Sequence, residues 1–112
     1  MGSDPTTAFF DELAQRGYDP MLGDVVGSAR FEVVDGKRSE RWLVTIDKGR
    51  VTVSRKNTRP QTTVRSSRAT FDRAAAGTLN VMAAVLRGEI EIGGDPRLLV
   101  RLQRLIPRPS GR

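Results

Sequence analysis

The residues of this chain that could take part in catalysis are mainly carboxylates and glycines. The chain has no histidine and no cysteine, which removes the commonest general base and the usual nucleophile–base pairs. Glu89 and Glu91 alternate with isoleucines, and we expect them to be solvated or paired with arginines rather than to form a carboxylate dyad. Residues 88–94 have the spacing Gly-x-x-x-x-Gly-Gly but lack the lysine and hydroxyl of a phosphate loop. The sequence therefore predicts no enzyme, no metal site and no cofactor.

Basic residues are concentrated in the later part of the chain. The net charge is +6, and seven basic residues but no acidic residue lie from Lys48 to Arg68. This asymmetry is typical of a solvated arginine-rich surface or of an anionic partner, either nucleic acid or lipid headgroups. Single-strand binders interleave aromatic residues for base stacking, and this segment has none. We therefore expect no nucleic-acid partner, and weak contact with an anionic membrane surface stays open.

Length and composition indicate a single domain. The 112 residues are 38% hydrophobic, which is enough for a compact core but not for a very large one. We expect one domain over residues 1–112, with flexible ends at 1–5 and 108–112. The longest apolar run, residues 81–86, is far too short to span a membrane, and no secretory signal is visible. These features predict a cytoplasmic protein and leave its oligomeric state open.

Apolar periodicity predicts the order helix, four strands, two helices, strand, helix. The first four strands are joined by short connections, which favours an antiparallel meander. The fourth strand is polar, as an edge strand would be. The fifth follows a long helical crossover, which favours parallel pairing. The predicted strands are residues 30–34, 40–46, 50–54, 61–66 and 89–92.

The clearest local pattern lies at the end of the predicted sheet. Gly93 and Gly94 allow a turn with positive φ, Asp95 can cap the next helix, and Pro96 suits its first turn. Leucines and an isoleucine over residues 98–106 then form one apolar stripe. This stretch predicts a strand, a glycine turn and a capped helix packed on the sheet.

The helix predicted over residues 79–86 is apolar on nearly every side. Such a helix must be buried, either as ordinary core or as the wall of a ligand pocket. Met82 can adapt to a variable ligand or fill a gap in the core. The chain's one tryptophan, Trp42, belongs either to the core or to the mouth of a pocket.

Several segments, in order and spacing, resemble the sterol carrier protein 2 family. The match runs through residues 42–53, 63–71, 77–80, 88–95 and 98–107. The resemblance implies an α+β fold with a five-stranded, mostly antiparallel sheet, covered by helices that enclose an apolar pocket or tunnel. It also implies non-catalytic binding or transfer of a fatty acyl chain, a sterol-like molecule or another lipid. The chain lacks the family's C-terminal peroxisomal targeting tripeptide and has no room for a fused enzyme, so a bacterial stand-alone member is expected.

Ten apolar residues are candidates for the lining of this pocket. Two alternative functions are a structural or regulatory partner domain that binds no ligand, and a nucleic-acid binder that uses the basic surface. The candidate ligand-binding residues are Trp42, Phe71, Ala75, Leu79, Met82, Ala83, Leu86, Leu102, Leu105 and Ile106.

Overall fold

The computed structural model describes residues 4–105, apart from the side chain of Arg104. Within this range the chain forms four α-helices, five strands and two short 3-10 turns at Pro20–Leu22 and Gln103–Leu105. The helices are α1 (Pro5–Arg16), α2 (Arg68–Ala75), α3 (Val81–Leu86) and α4 (Pro96–Leu102). The strands are β1 (Val26–Asp35), β2 (Arg38–Asp47), β3 (Arg50–Ser54), β4 (Thr62–Ser67) and β5 (Ile90–Gly94).

Polar side chains cap the helices where they begin. Ser67 accepts a hydrogen bond from the backbone N–H of Thr70 at the start of α2, and Asp95 caps α4 as its sequence predicts. Asp4 accepts one from the backbone N–H of Thr7 at 2.8 Å, which satisfies a donor that the helix leaves free. Residues 4 and 5 are therefore the cap and first residue of α1 rather than part of a flexible end, whereas 1–3 lie outside the described residues.

The sheet has the strand order β3-β2-β1-β4-β5. Three neighbouring pairs are antiparallel, and β1 and β4 are parallel. The sequence correctly predicts an α+β fold with a mostly antiparallel sheet, but it misplaces two strands. β4 is not an edge strand of a meander, because it crosses to the far side of β1. β5 does not pair in parallel, because the two helices between β4 and β5 bring the chain back in the opposite direction.

β4 tolerates an interior position because its polar side chains are sorted by face. Thr62 and Ser66 are buried, yet their hydroxyls donate to the backbone oxygens of Asp95 and Ser67. Val64 lies between them on the same face and is also buried. A polar strand can thus be central when its buried hydroxyls are hydrogen-bonded.

The main apolar core lies between one face of the sheet and the helices. Alternate residues of the strands, such as Phe31, Val44 and Val64, point into this core. The opposite face carries Glu32, Arg65 and Glu91, with Arg65 3.8 Å from Glu32 and 3.7 Å from Glu91. The helices and the inner face of the sheet therefore form the two walls of the space in which a ligand pocket is expected.

Candidate functional site

A small apolar cavity lies between the inner face of the sheet and the helices. Its volume is about 20 Å³, which is room for about one water molecule. All nine lining side chains are apolar, and they come from four helices and three strands. They are Phe9, Phe31, Val64, Phe71, Ala74, Ala75, Val81, Ile90 and Leu99.

Phe10 is the centre of an aromatic cluster that adjoins this cavity. Its ring stacks on Trp42 with centroids 4.5 Å apart and an interplanar angle of 9°. It also contacts the rings of Phe31 and Phe71, at 5.4 Å and 5.6 Å. Helix α1 therefore holds one aromatic ring between the tryptophan and two rings that line the cavity.

Trp42 lies in the core rather than in the lining of the cavity. Its side chain is buried on the inner face of β2, between Phe10 and the guanidinium of Arg55. The guanidinium carbon of Arg55 lies 4.3 Å from the ring centroid, in the range of a cation–π contact. Of the two sequence interpretations, the structure favours core packing for this residue.

The predicted site residues divide into lining, core and surface positions. Phe71 and Ala75 line the cavity, whereas Leu79, Leu102 and Leu105 are buried in the surrounding core. Ile106 lies outside the described residues.

Helix α3 is the main departure from the predicted site. It begins at Val81, and among its residues only Ala84 is fully buried. Met82 is 40% exposed and Leu86 is 86% exposed, while Ala83 is partly buried. The expectation that this apolar helix is buried is therefore wrong, because one side of it packs on the domain and the other faces solvent.

Seven lining residues were not among the predicted site residues, four from helices and three from strands. Phe31, Val64 and Ile90 line the cavity from β1, β4 and β5. Their alternation with polar neighbours placed them on inner faces, which was the available signal. The order of the strands was the missing information, because only the adjacency of β1, β4 and β5 brings these three side chains together.

A hydrogen-bonded link joins the two helices that carry the aromatic lining. Asp72 of α2 accepts from the backbone N–H and the hydroxyl of Thr6 in α1, at 3.1 Å and 2.5 Å. Thr6 is completely buried. The link fixes the start of α1 against α2, so it holds Phe9 and Phe71 at the same cavity.

Ion pairs lie around the site rather than within it. Arg68, at the start of α2, pairs with Asp4, Asp35 and Glu40. The pKa of Asp4 is lowered, first by the backbone hydrogen bond from Thr7 and also by the charge of Arg68. These charges tie α2 to α1 and to the β1–β2 hairpin, while the cavity itself remains apolar.

The two glutamates noted in the sequence pair with arginines, as expected. Glu89 accepts from Arg87 at 3.1 Å, and this hydrogen bond lowers the pKa of Glu89. Glu91 lies on the outer face of the sheet near Arg65. Neither carboxylate faces the cavity lining, so neither is placed to act on a ligand there.

Solved structures with the same fold are sterol carrier proteins from an insect and part of a bacterial enzyme. Sterol carrier protein 2 like 2 from Aedes aegypti is 22% identical over 89% of this chain and 94% of its own, with a TM-score of 0.70. The complex of Aedes aegypti sterol carrier protein 2 with palmitate is 19% identical over 92% and 94%, with a TM-score of 0.72. The sec-alkylsulfatase Pisa1 from Pseudomonas sp. is 25% identical over 91% of this chain and 16% of its own, with a TM-score of 0.64.

Family membership follows from the sequence itself. Among curated proteins, none matches this chain. Within residues 4–105, no helix has the length and hydrophobicity that crossing a membrane requires. The sequence model of the SCP-2 sterol transfer family matches residues 3–107, nearly the whole chain. The chain therefore belongs to the SCP-2 sterol transfer family.

Proposed function

We propose that this chain binds a hydrophobic ligand, such as a fatty acyl chain or a sterol-like lipid, and carries it without chemical change. The observation that carries the proposal is the cavity whose nine lining side chains are all apolar. Apolar linings of this kind are typical of lipid sites. The palmitate bound by the Aedes aegypti protein of the same fold supports a fatty acid as the first ligand to test.

The size of the cavity implies that binding must enlarge it. A ligand pocket occupies at least about 300 Å³, whereas this cavity measures about 20 Å³. At about 24 cal/mol per Å³, an empty 300 Å³ pocket would cost about 7 kcal/mol, comparable with a typical total stability of about 5–15 kcal/mol. The closed packing avoids this cost, and a ligand in the opened pocket would restore apolar packing against the lining side chains.

The wall between α2 and α3 is the weakest part of the lining. Ala75 and Val81 are half-buried lining residues, whereas Phe9, Phe71 and Leu99 are buried. A short helix with few buried side chains opens at lower free energy than one anchored in the core. We therefore propose that the ligand enters where α2 and α3 meet.

The alternative of nucleic-acid binding is disfavoured by how the basic segment is used. Arg55 covers Trp42, Arg65 lies between Glu32 and Glu91, and Arg68 pairs with three carboxylates. Three of the seven basic side chains of the segment are thus engaged within the domain, which reduces the positive charge that it offers to a nucleic acid. The binding experiment below decides whether the chain is instead a partner domain without a ligand. Its cytoplasmic location remains a prediction.

The test fills the cavity and measures the binding of palmitate. We expect the unaltered protein to bind a fluorescent fatty acid that palmitate displaces. Ala75→Phe should weaken binding by about tenfold or more, because the new ring occupies the space that the ligand needs. Ala14→Phe is the matched control, because Ala14 is exposed on α1.

Two outcomes would contradict the proposal. The first is an unaltered protein that binds neither the fluorescent fatty acid nor palmitate, which would favour the partner-domain alternative. The second is equal weakening by Ala75→Phe and Ala14→Phe, which would place binding outside the cavity. Circular dichroism of both variants checks that each retains the fold.

A further inference from the structure

Helix α3 presents an apolar face to solvent. Met82 and Leu86 are one helical turn apart, so their side chains lie on the same side of the helix. Leu86 is the most exposed large hydrophobic side chain among residues 4–105, at 86%, and Met82 is 40% exposed. No residue of α3 is polar, although solvent-facing positions of a surface helix are normally polar. We call Met82 and Leu86 the α3 face.

The α3 face lies on the outer side of the cavity wall. Val81, one residue before Met82, lines the cavity, as does Ala75 of the preceding helix. Both lining residues are half-buried. A surface that covers the α3 face would therefore be adjacent to the part of the lining that is most easily opened.

Arginines outnumber carboxylates at the C-terminal end of the α3 face. Arg87 follows Leu86 directly and pairs with Glu89 at 3.1 Å. The pKa of Glu89 is lowered by the hydrogen bond from Arg87 and also by the charge of Arg73, so Arg73 acts electrostatically on the same end of the helix. Two arginines and one glutamate leave a local excess of positive charge, on a chain whose net charge is +6.

We propose that the α3 face docks on an anionic lipid bilayer, with Leu86 and Met82 inserted among the acyl chains and Arg73 and Arg87 at the headgroups. Two apolar side chains are too small a patch for a stable protein interface, which buries about 800 Å² on each partner. Shallow insertion beside basic residues is enough for reversible attachment to anionic membranes. The role of this docking in lipid exchange rests on the proposed function, whereas the attachment itself does not.

The test is co-flotation of the protein with vesicles of phosphatidylcholine containing about one-third phosphatidylglycerol. We expect the unaltered protein to float with these vesicles and to be released by high salt, which screens the arginines. Leu86→Gln should reduce the bound fraction about fivefold, because it removes the inserted side chain. Met21→Gln is the matched control, because Met21 is 60% exposed and belongs to the 3-10 turn before β1.

Three results would overturn the docking surface. The first is equal flotation of the unaltered protein and Leu86→Gln. The second is an equal reduction of the bound fraction by Leu86→Gln and by Met21→Gln. The third is a dimer in analytical ultracentrifugation that Leu86→Gln dissociates. Displacement of a fluorescent fatty acid by palmitate, measured without vesicles, separates the two proposals. Leu86→Gln should leave that binding unchanged, and a protein that floats but binds no fatty acid would retain the docking surface while losing the proposed function.

Discussion

At the scale of single residues, the contact between Thr6 and Asp72 matters most for the packing of the helices, and no sequence pattern predicts it. Thr6 and Asp72 are 66 positions apart and join the start of α1 to α2. Both donors of Thr6, its backbone N–H and its hydroxyl, end on one carboxylate oxygen of Asp72. Since Thr6 is fully buried, neither donor has water as an alternative. One side chain of α2 therefore satisfies both buried donors at the start of α1.

Replacing this carboxylate should destabilise the domain. Asp72→Ala leaves two buried donors unsatisfied, and we expect the free energy of unfolding to fall by about 2 kcal/mol. Asp72→Asn keeps an oxygen that can accept from both donors, so the free energy of unfolding should fall by about half as much. Urea denaturation followed by Trp42 fluorescence measures both variants. Equal losses for alanine and asparagine would show that the contact with Thr6 is not what stabilises α1 against α2.

At the scale of elements, local pattern predicted most helices and strands but not how the strands pair. Alternating side chains identified β1 and β3, because each buries one face, and β2, which also buries Leu43 on its other face. The position of β4 depends on a pairing with β1, more than thirty residues earlier, which periodicity does not encode. Helix α3 departs from its prediction for a related reason: apolar composition indicates that burial is favourable, but not that a covering element is present.

Gly94 tests the observed pairing of β4 and β5. It has φ = +77°, and a Cβ there would collide with the backbone oxygen of Gln61, which accepts from the N–H of Asp95 at 2.9 Å. We expect Gly94→Ala to lower the free energy of unfolding by about 3 kcal/mol, from the strained backbone together with the clash.

Gly36 provides the matched control for this substitution. It also has positive φ, at +65°, but a Cβ there would meet only open space. Gly36→Ala should therefore cost only the backbone strain, about 1 kcal/mol. Chemical denaturation measures both variants, and equal costs would mean that β5 does not approach Gln61 as closely as the structure places it.

At the scale of the whole molecule, the sequence predicted the fold class better than the residues around the cavity. The family resemblance predicts an apolar pocket between helices and sheet, and the structure has a small apolar cavity there. Phe71 and Ala75 lie in the cavity, because α2 follows β4 directly and one of its faces must point inward. Its hydrophobicity makes Leu86 a candidate lining residue, yet it is 86% exposed. Which side of a short helix faces the core is decided by its neighbours, and a single sequence does not give their positions.

Stability should change little near neutral pH and fall in acid. The chain has no histidine, so no side chain has an ordinary pKa between pH 6 and 7. In the folded state, the pKa values of Asp4, Asp24 and Asp95 are lowered, chiefly by hydrogen bonds from Thr7, Arg101 and Arg97 respectively. As the pH falls, the unfolded chain therefore takes up protons first, near the ordinary value of about 3.9 for aspartate.

The contribution of these carboxylates is thus complete above about pH 5 and is lost as the pH falls through 3.9 towards the lower values of the folded state. Urea denaturation at a series of pH values between 7 and 3, at constant ionic strength, measures this dependence. Asp24→Asn removes one of the pairs, with Arg101, and should make the decline in acid shallower. A free energy of unfolding that rose between pH 5 and 3, or changed strongly between pH 7 and 6, would show that other groups govern the titration.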